Sequence, residues 1–322
     1  MKLPTGKGFY IWQIPRLGSI AQIVELALEA KLGHVFIKIA NGTADYGIVN
    51  GVDLAGNLAN ALLAAGIEPW GWQYVYNNYP AIEANKAVDR ITETGVVGFD
   101  IDAEGECKNR PSEARTYCET LRAGLDDSFP VGLGSYRFPS LHPEIPWDIF
   151  RQYCDFDMPQ VYWVLAHNPG NQLVNSYNEF KAMPKKLPYI ATGSVYRQER
   201  YPYWTPTLGE VQEFMSVADG LGIAFNFWEW YDARNVLPIE IWDAIAEWQN
   251  VLPPPPPPPP LPKMVRTTAG QLNVRLTPMG TKIGYVPKGT LLGVNGEAYY
   301  NGVKWHKIGA AFVSSEWCEE IE

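Results

Sequence analysis

The chain has 322 residues, 46% of them hydrophobic and 13% aromatic, with twelve Trp and eighteen Tyr. That length suits one large domain with a small one beside it. The net charge of −9 argues against nucleic acid as a partner, no apolar run reaches the length of a membrane span, and so many indoles and phenols place sugars, whose apolar faces stack on such rings, among the candidate ligands.

The first fifteen residues, "MKLPTGKGFYIWQIP", lack the apolar core and small-residue cleavage site of a secretory signal. The protein is therefore expected to be made in the cytoplasm, and if it works outside a cell something else must release it. From there apolar, β-rich runs alternate with helix-period segments. The runs are "FYIWQIP" (9–15), "HVFIKIA" (34–40), "EPWGWQYVY" (68–76) and "VVGFDIDAE" (96–104), then "VGLGSYR" (131–137), "DFDMPQVYW" (155–163), "PYIATGSVY" (188–196) and "IAFNFWEW" (223–230). Helical patterns follow each of them, at 18–31, 52–65, 80–94, 111–125, 146–152, 171–182, 207–220 and 238–249. Start signals include Pro111-Ser112-Glu113 and Thr207 followed by Glu210. Eight strand–helix repeats in about 250 residues predict an α/β fold, a (β/α)8 TIM barrel over residues 1–250. The near-continuous apolar strands fit a parallel sheet covered on both faces. A doubly wound open sheet is the alternative, but it does not need eight repeats.

"VLPPPPPPPPLP" (251–262) reads as a polyproline linker, extended and semi-rigid. Residues 251–322 carry seven Lys or Arg and five Glu, a net +2, which leaves −11 on the rest of the chain. Residues 263–322 read as short strands and turns, a small all-β module. Cys107, Cys118, Cys154 and Cys318 form no CxxC pair and have no clustered His, so buried thiols are expected, and neither a metal nor another cofactor.

Strand four holds the sharpest signal. In "GFDIDAE", Phe99, Ile101 and Ala103 alternate with Gly98, Asp100, Asp102 and Glu104. Alternation places the first set against the helices and the second inside the barrel, rising to the mouth, where such barrels carry their active sites. Desolvation and repulsion are expected to raise at least one pKa, most usefully that of Glu104. A carboxyl still protonated near neutral pH can donate to a glycosidic oxygen. A buried ion-pair network is the alternative, but three buried carboxylates are costly without a function. Other inward polar groups are expected from the same alternation. Lys38 on strand two would neutralise Asp100. Tyr136 ends the inward set of strand five. Gln160 and Tyr162 on strand six stand near the mouth, within reach of a substrate amide or Asp102. Strand eight offers Asn226 and Trp228 on one face and Glu229 on the other. Gln73 and Gln13 complete the set. Tyr74, Tyr76, Tyr79, Trp163, Tyr196, Tyr201, Tyr203, Trp204, Trp230 and Tyr231 gather at strand ends and loops, some for packing and some for a sugar groove.

"GFDIDAE" resembles the fourth-strand signature of family 18 glycoside hydrolases, the chitinases and their relatives. It is also similar to the Asp-x-Glu strand of family 25 lysozymes, which cut peptidoglycan. "VFIKIANGT" is similar to the second strand of family 25, with its inward lysine, and "MPQVYW" resembles strand six of both. Departures exist: "FYIWQIP" lacks the strand-one aspartate of family 25, "FNFWEW" lacks its late aspartate, and Val97 stands where family 18 has a further acid. The resemblance implies that Glu104 protonates the leaving oxygen. The substrate's own 2-acetamido carbonyl then attacks the anomeric carbon, oriented by Asp102 and supported by Asp100. "LNVR", "IGYVPKGT", "VKWHKIG" and "FVSSEW" resemble a bacterial SH3-like domain, which implies attachment to peptidoglycan, with Tyr299, Tyr300 and Trp317 as candidate contacts and Trp305 as core. The expected function is a peptidoglycan glycosidase of lysozyme or endolysin type, acting as a monomer on an N-acetylated polysaccharide. A chitinase-like N-acetylhexosaminidase and a barrel that binds glycans without cleaving them are the alternatives.

Overall fold

The structure is a computed structural model, and it describes residues 2–200, 202–249, 263–294 and 296–321. The chain forms two compact units, Met1–Leu252 and Pro253–Glu322. The proline run at 251–262 and Tyr201 lie outside the described residues.

The first unit is a closed barrel of eight parallel strands. They are β1 (Lys7–Ile11), β2 (His34–Asn41), β3 (Glu68–Val75), β4 (Phe99–Ala103), β5 (Val131–Tyr136), β6 (Phe156–Val161), β7 (Ala191–Ser194) and β8 (Phe225–Trp228). Each pairs in parallel with its chain neighbour, and β8 closes on β1. Helices α1 (Ile20–Glu29), α2 (Leu54–Ala64), α3 (Pro80–Thr94), α4 (Pro111–Ala123), α5 (Trp147–Tyr153), α6 (Pro169–Ala182) and α7 (Leu208–Gly220) connect successive strands. Two more, α8 (Trp230–Asn235) and α9 (Ile239–Glu247), follow β8. The Ser19–Gln22 and Thr207–Glu210 pairs form reciprocal capping boxes that satisfy the free amides at the starts of α1 and α7. Helix α8 was not expected from the sequence, since six residues are too few to show a 3.6-residue period.

Alternation along the strands makes two apolar layers. Outward residues such as Ile37, Ile39, Phe99, Ile101 and Ala103 pack with Leu58, Leu62, Ile91, Tyr117 and Leu121 of the helices. Inward, Tyr10, Phe36, Trp70, Trp72, Phe156, Met158 and Ile190 fill the barrel. Glycines make room for these rings. A Cβ on Gly98 would stand 2.1 Å from the Trp70 ring, and one on Gly132 would stand 2.4 Å from that of Phe156, too close for any other residue.

The second unit is all antiparallel. One sheet joins Leu291–Val294, Lys263–Thr267 and Cys318–Ile321, and another joins Lys282–Pro287, Gln271–Arg275, Ala311–Ser314, Val303–Ile308 and Gly296–Tyr300. Its buried apolar residues are Val265, Leu272, Val294, Trp305 and Val313, while Tyr299, Tyr300 and Trp317 are exposed.

Candidate active site

Strand β4 sends its carboxylates into the barrel as a column. Asp100 lies opposite Trp72 on β3 and Gly132 on β5, and Asp102 one step higher lies opposite Tyr74 and Gly134. Asp100 is buried and accepts a 2.8 Å hydrogen bond from the Tyr10 hydroxyl. A Cβ on Gly134 would stand 2.5 Å from an Asp100 carboxylate oxygen, so glycine is what lets the backbone approach it. Burial pushes the Asp100 carboxyl up to about 7, against the pull of its bonds from Tyr10 and the Gly134 amide.

Above it, the Gln160 side-chain amide donates to both remaining acids, to Asp102 Oδ1 at 3.0 Å and Glu104 Oε1 at 2.8 Å. Its two N–H bonds are thereby spent, and the two carboxylates are held side by side. Burial lifts Asp102 well above the usual carboxylate range, and the charges of Glu104 and Asp100 lift it further. Glu104 is also raised, first by burial and then by Glu106, with Gln160 and Lys38 opposing. The middle member has a like charge on each side and carries the larger penalty, so the column retains protons that isolated carboxylates would have lost.

Lys38 faces this column. Burial lowers its ammonium to about 8, while Asp102 and Glu104 act to raise it. Its Nζ lies 4.5 Å from the Trp72 ring centre and 4.8 Å from that of Tyr46. The expected Lys38–Asp100 pair is corrected accordingly: the lysine answers the two upper acids, and Asp100 is answered by Tyr10.

A cavity of about 290 Å3 opens over Asp102 and Glu104. Trp12, Trp72 and Trp228 form one wall, with ring centres 5.4 Å apart for Trp72–Trp228 and 6.2 Å for Trp12–Trp228. Tyr74, Tyr162, Thr192 and Tyr196 continue the lining. Burial, followed by Tyr196 and the acids, keeps the Tyr162 phenol protonated well above its ordinary range. The cavity adjoins a groove of about 350 Å3 that shares Gln160, Tyr162 and Tyr196. Tyr136 stands on its wall, stacked on His142 at 3.7 Å.

The structure thus gathers Lys38, Asp102, Glu104, Gln160, Tyr162 and Trp228 around one cavity, with Asp100 beneath it and Tyr136 in the adjoining groove. Other residues are placed elsewhere. Gln73 is fully buried and points to the helix layer, where it donates to the carbonyls of Gly42 and Glu83 and accepts from the Tyr117 hydroxyl. The inward positions of β3 belong to Trp70, Trp72 and Tyr74, and alternation then sends Gln73 outward. Asn226 faces inward but below the cavity, with its amide donating to the Met158 sulfur. Glu229 caps α8, accepting from the backbone N–H groups of Tyr231 and Asp232. It opens on another groove, beside Arg16, that meets the cavity at Trp12, Tyr196 and Trp228, and burial lifts it to about 7. Gln13 lies past the end of β1, outside the cavity lining.

Tyr10, Trp12 and Thr192 belong to the site and carry no charge that would flag them in the sequence. The signal for the first two was parity: in "FYIWQIP", Tyr10 and Trp12 fall on one face, and that face turns inward. Trp163, Trp204 and Trp230, at the strand ends, are buried in the outer core.

No protein-family model and no curated protein matches the chain. Solved structures do match. The spore cortex-lytic enzyme SleL of Bacillus cereus superposes with a TM-score of 0.54 at 10% identity, over 74% of this chain and 73% of that one. A class V chitinase from Pseudomonas fluorescens Pf-5 gives 0.53 at 9% identity, over 74% of this chain and 98% of that one. A glycoside hydrolase family 18 N-acetylglucosaminidase from Paenibacillus barengoltzii gives 0.51 at 12% identity, over 75% and 98%. At these identities the shared property is the barrel fold.

Proposed function

We propose that the barrel is a glycosidase of N-acetylated glycans, with peptidoglycan as its substrate and Glu104 as its general acid. The observation that carries this reading is the pair Asp102 and Glu104 on one Gln160 amide, the first buried and the second half-buried, at the floor of an indole-walled cavity. Glu104 is the member of the column nearest the mouth. It would give its proton to the glycosidic oxygen as the bond from that oxygen to the anomeric carbon breaks. The substrate's 2-acetamido oxygen would form the new bond to that carbon, and Asp102 would accept from the acetamide N–H and balance the charge that develops on it. Water would then attack the anomeric carbon as its bond to the acetamido oxygen breaks, which restores the acetamide and returns a proton to Glu104. Lys38 limits the negative charge of the site, and Tyr162 offers a hydroxyl across the cavity. Tyr10 occupies the inward position of β1, so that strand contributes a hydroxyl to Asp100 rather than an acid.

Two considerations support the choice of glycan. The solved structures that resemble the barrel include a spore cortex-lytic enzyme, an N-acetylglucosaminidase and a chitinase. The small all-β unit exposes Tyr299, Tyr300 and Trp317, rings suited to holding a polysaccharide, and tethering there would raise the local substrate concentration. A chitinase-like activity is the second reading, favoured by the same neighbours.

Wild type and Glu104→Gln should be incubated with purified peptidoglycan and with chito-oligosaccharides, and the new reducing ends identified by mass. Muramic acid ends from peptidoglycan, released by wild type alone, are the expected result. N-acetylglucosamine ends favour the second reading. Equal release by both proteins removes Glu104 as the acid, and no release from any acetylated glycan leaves a barrel that only binds. Deleting 251–322 should weaken wall binding while short oligosaccharides are still cut.

A further inference from the structure

The groove beside the catalytic cavity contains a cation with no partner. Arg137 follows the last residue of β5 and lines this groove with Tyr136, Phe138, Gln160, Tyr162 and Tyr196. Among the described residues its guanidinium makes no hydrogen bond and no ion pair, and its Nε is buried without an acceptor. What it touches is aromatic: its guanidinium lies 5.1 Å from the Phe138 ring centre. The neighbouring cation Lys108 is accounted for, with Glu144 at 3.6 Å and His142 at 3.2 Å. Several other arginines of this unit have carboxylates: Arg90 has Asp53 and Glu93, Arg122 has Asp155, and Arg151 has Asp157. Arg234 also has a buried Nε without an acceptor, but it lies outside the groove, 6.0 Å from the Trp242 ring centre.

A buried guanidinium nitrogen without an acceptor forfeits its hydration for nothing, and folded proteins seldom leave one so. Burial accordingly lowers the Arg137 pKa, and only the Tyr196 hydroxyl opposes it. The unsatisfied donors face a groove continuous with Gln160, the residue that clamps both upper acids. Whatever meets Arg137 there would therefore be part of the molecule whose acetamide occupies the cavity. The planar fork of an arginine matches a carboxylate with two parallel N–H···O bonds. Phe138, Leu141 and Val164 add apolar wall to the same groove, suited to a carboxylate carried on a short aliphatic arm.

We propose that Arg137 is the anion-binding residue of a subsite that takes the carboxylate of an acidic substituent on the sugar whose acetamide occupies the catalytic cavity. The inference rests on the glycosidase reading and refines it: the substrate is an acid-bearing N-acetylated glycan, and neutral chitin lacks the group this subsite recognises.

Binding to Glu104→Gln, measured by calorimetry, separates this inference from the question of cleavage. The two probes are a tetrasaccharide of alternating N-acetylglucosamine and N-acetylmuramic acid, and the same tetrasaccharide with its lactyl carboxyls converted to methylamides. The acidic form should bind about tenfold more tightly, in line with a charge-assisted hydrogen-bonded pair. Adding Arg137→Ala should bring that ratio to about one, and Arg137→Lys should restore only part of it, because the forked geometry is lost. A ratio near one with Arg137 in place, or a ratio unchanged by Arg137→Ala, overturns the subsite. Loss of cleavage in wild type would sink the glycosidase reading and leave this ratio to be read on its own.

Discussion

Strands β3 and β4 lie side by side in register, yet they bury opposite chemistry. β3 turns Trp70, Trp72 and Tyr74 into the barrel, and β4 turns in Asp100 and Asp102 at the level of Trp72 and Tyr74. The two facts depend on each other. Indoles beside the column remove water from it, and that desolvation is the first cause of the raised pKa of every acid in the column. Polarity alone does not decide which way a strand residue faces. Gln73 is neutral and finds three partners between strand and helices. A carboxylate column needs cations, amides and a route to solvent, and the barrel mouth supplies them through Lys38 and Gln160.

The largest effect should come from breaking the charged side of this contrast. Glu104→Gln keeps the Gln160 contact in outline but removes the transferable proton, and kcat should fall by about 10²–10⁴-fold in a reducing-end assay. On the β3 side, Gln73→Leu would leave the Tyr117 hydroxyl and the Gly42 and Glu83 carbonyls without their partner. Urea unfolding should show a loss of about 2–3 kcal/mol, with kcat/KM per folded molecule within about twofold of wild type. A large drop in kcat/KM would mean that Gln73 does reach the cavity. Tyr10→Phe removes the hydroxyl that donates to Asp100 and should cost about 1–3 kcal/mol in the same measurement.

The smallest effect sharpens the account of burial. Asp100 is raised from 3.8 to about 7 in the fold, so between those values the native state holds a proton that the unfolded chain has released. Stability from this group is therefore complete below about pH 4 and is lost as pH rises through 7. The melting temperature of wild type should fall between pH 5 and pH 8 more steeply than that of Asp100→Asn. Parallel curves would show that Asp100 is ionised in the fold throughout.

The sequence carried the barrel because eight strand-and-helix periods repeated within about 250 residues, a count few folds share. It carried the β4 column because strict alternation puts Asp100, Asp102 and Glu104 on the face opposite Phe99 and Ile101. Lys38 and Gln160 were legible for the same reason. Partners were harder to read. Which acid Lys38 meets depends on its height along the barrel axis, and parity is silent about height. Asn226 shows this as well, with the right face at the wrong depth. Glu229 was ambiguous because an acid just after a strand is equally suited to start a helix, and here it caps α8. Arg137 gave no signal at all, since its significance lies in lacking partners, which only three dimensions reveal.

The pH profile of kcat/KM on a soluble N-acetylated oligosaccharide tests the central claim most directly, because it reports the ionisation of the free enzyme. With Glu104 acting as a burial-raised general acid, activity should persist above the pH at which an isolated glutamate ionises, about 4.3, and then decline with a slope of one proton as Glu104 is deprotonated. A decline already under way near pH 4, or a rate indifferent to pH, would contradict a protonated Glu104 at the mouth of the barrel.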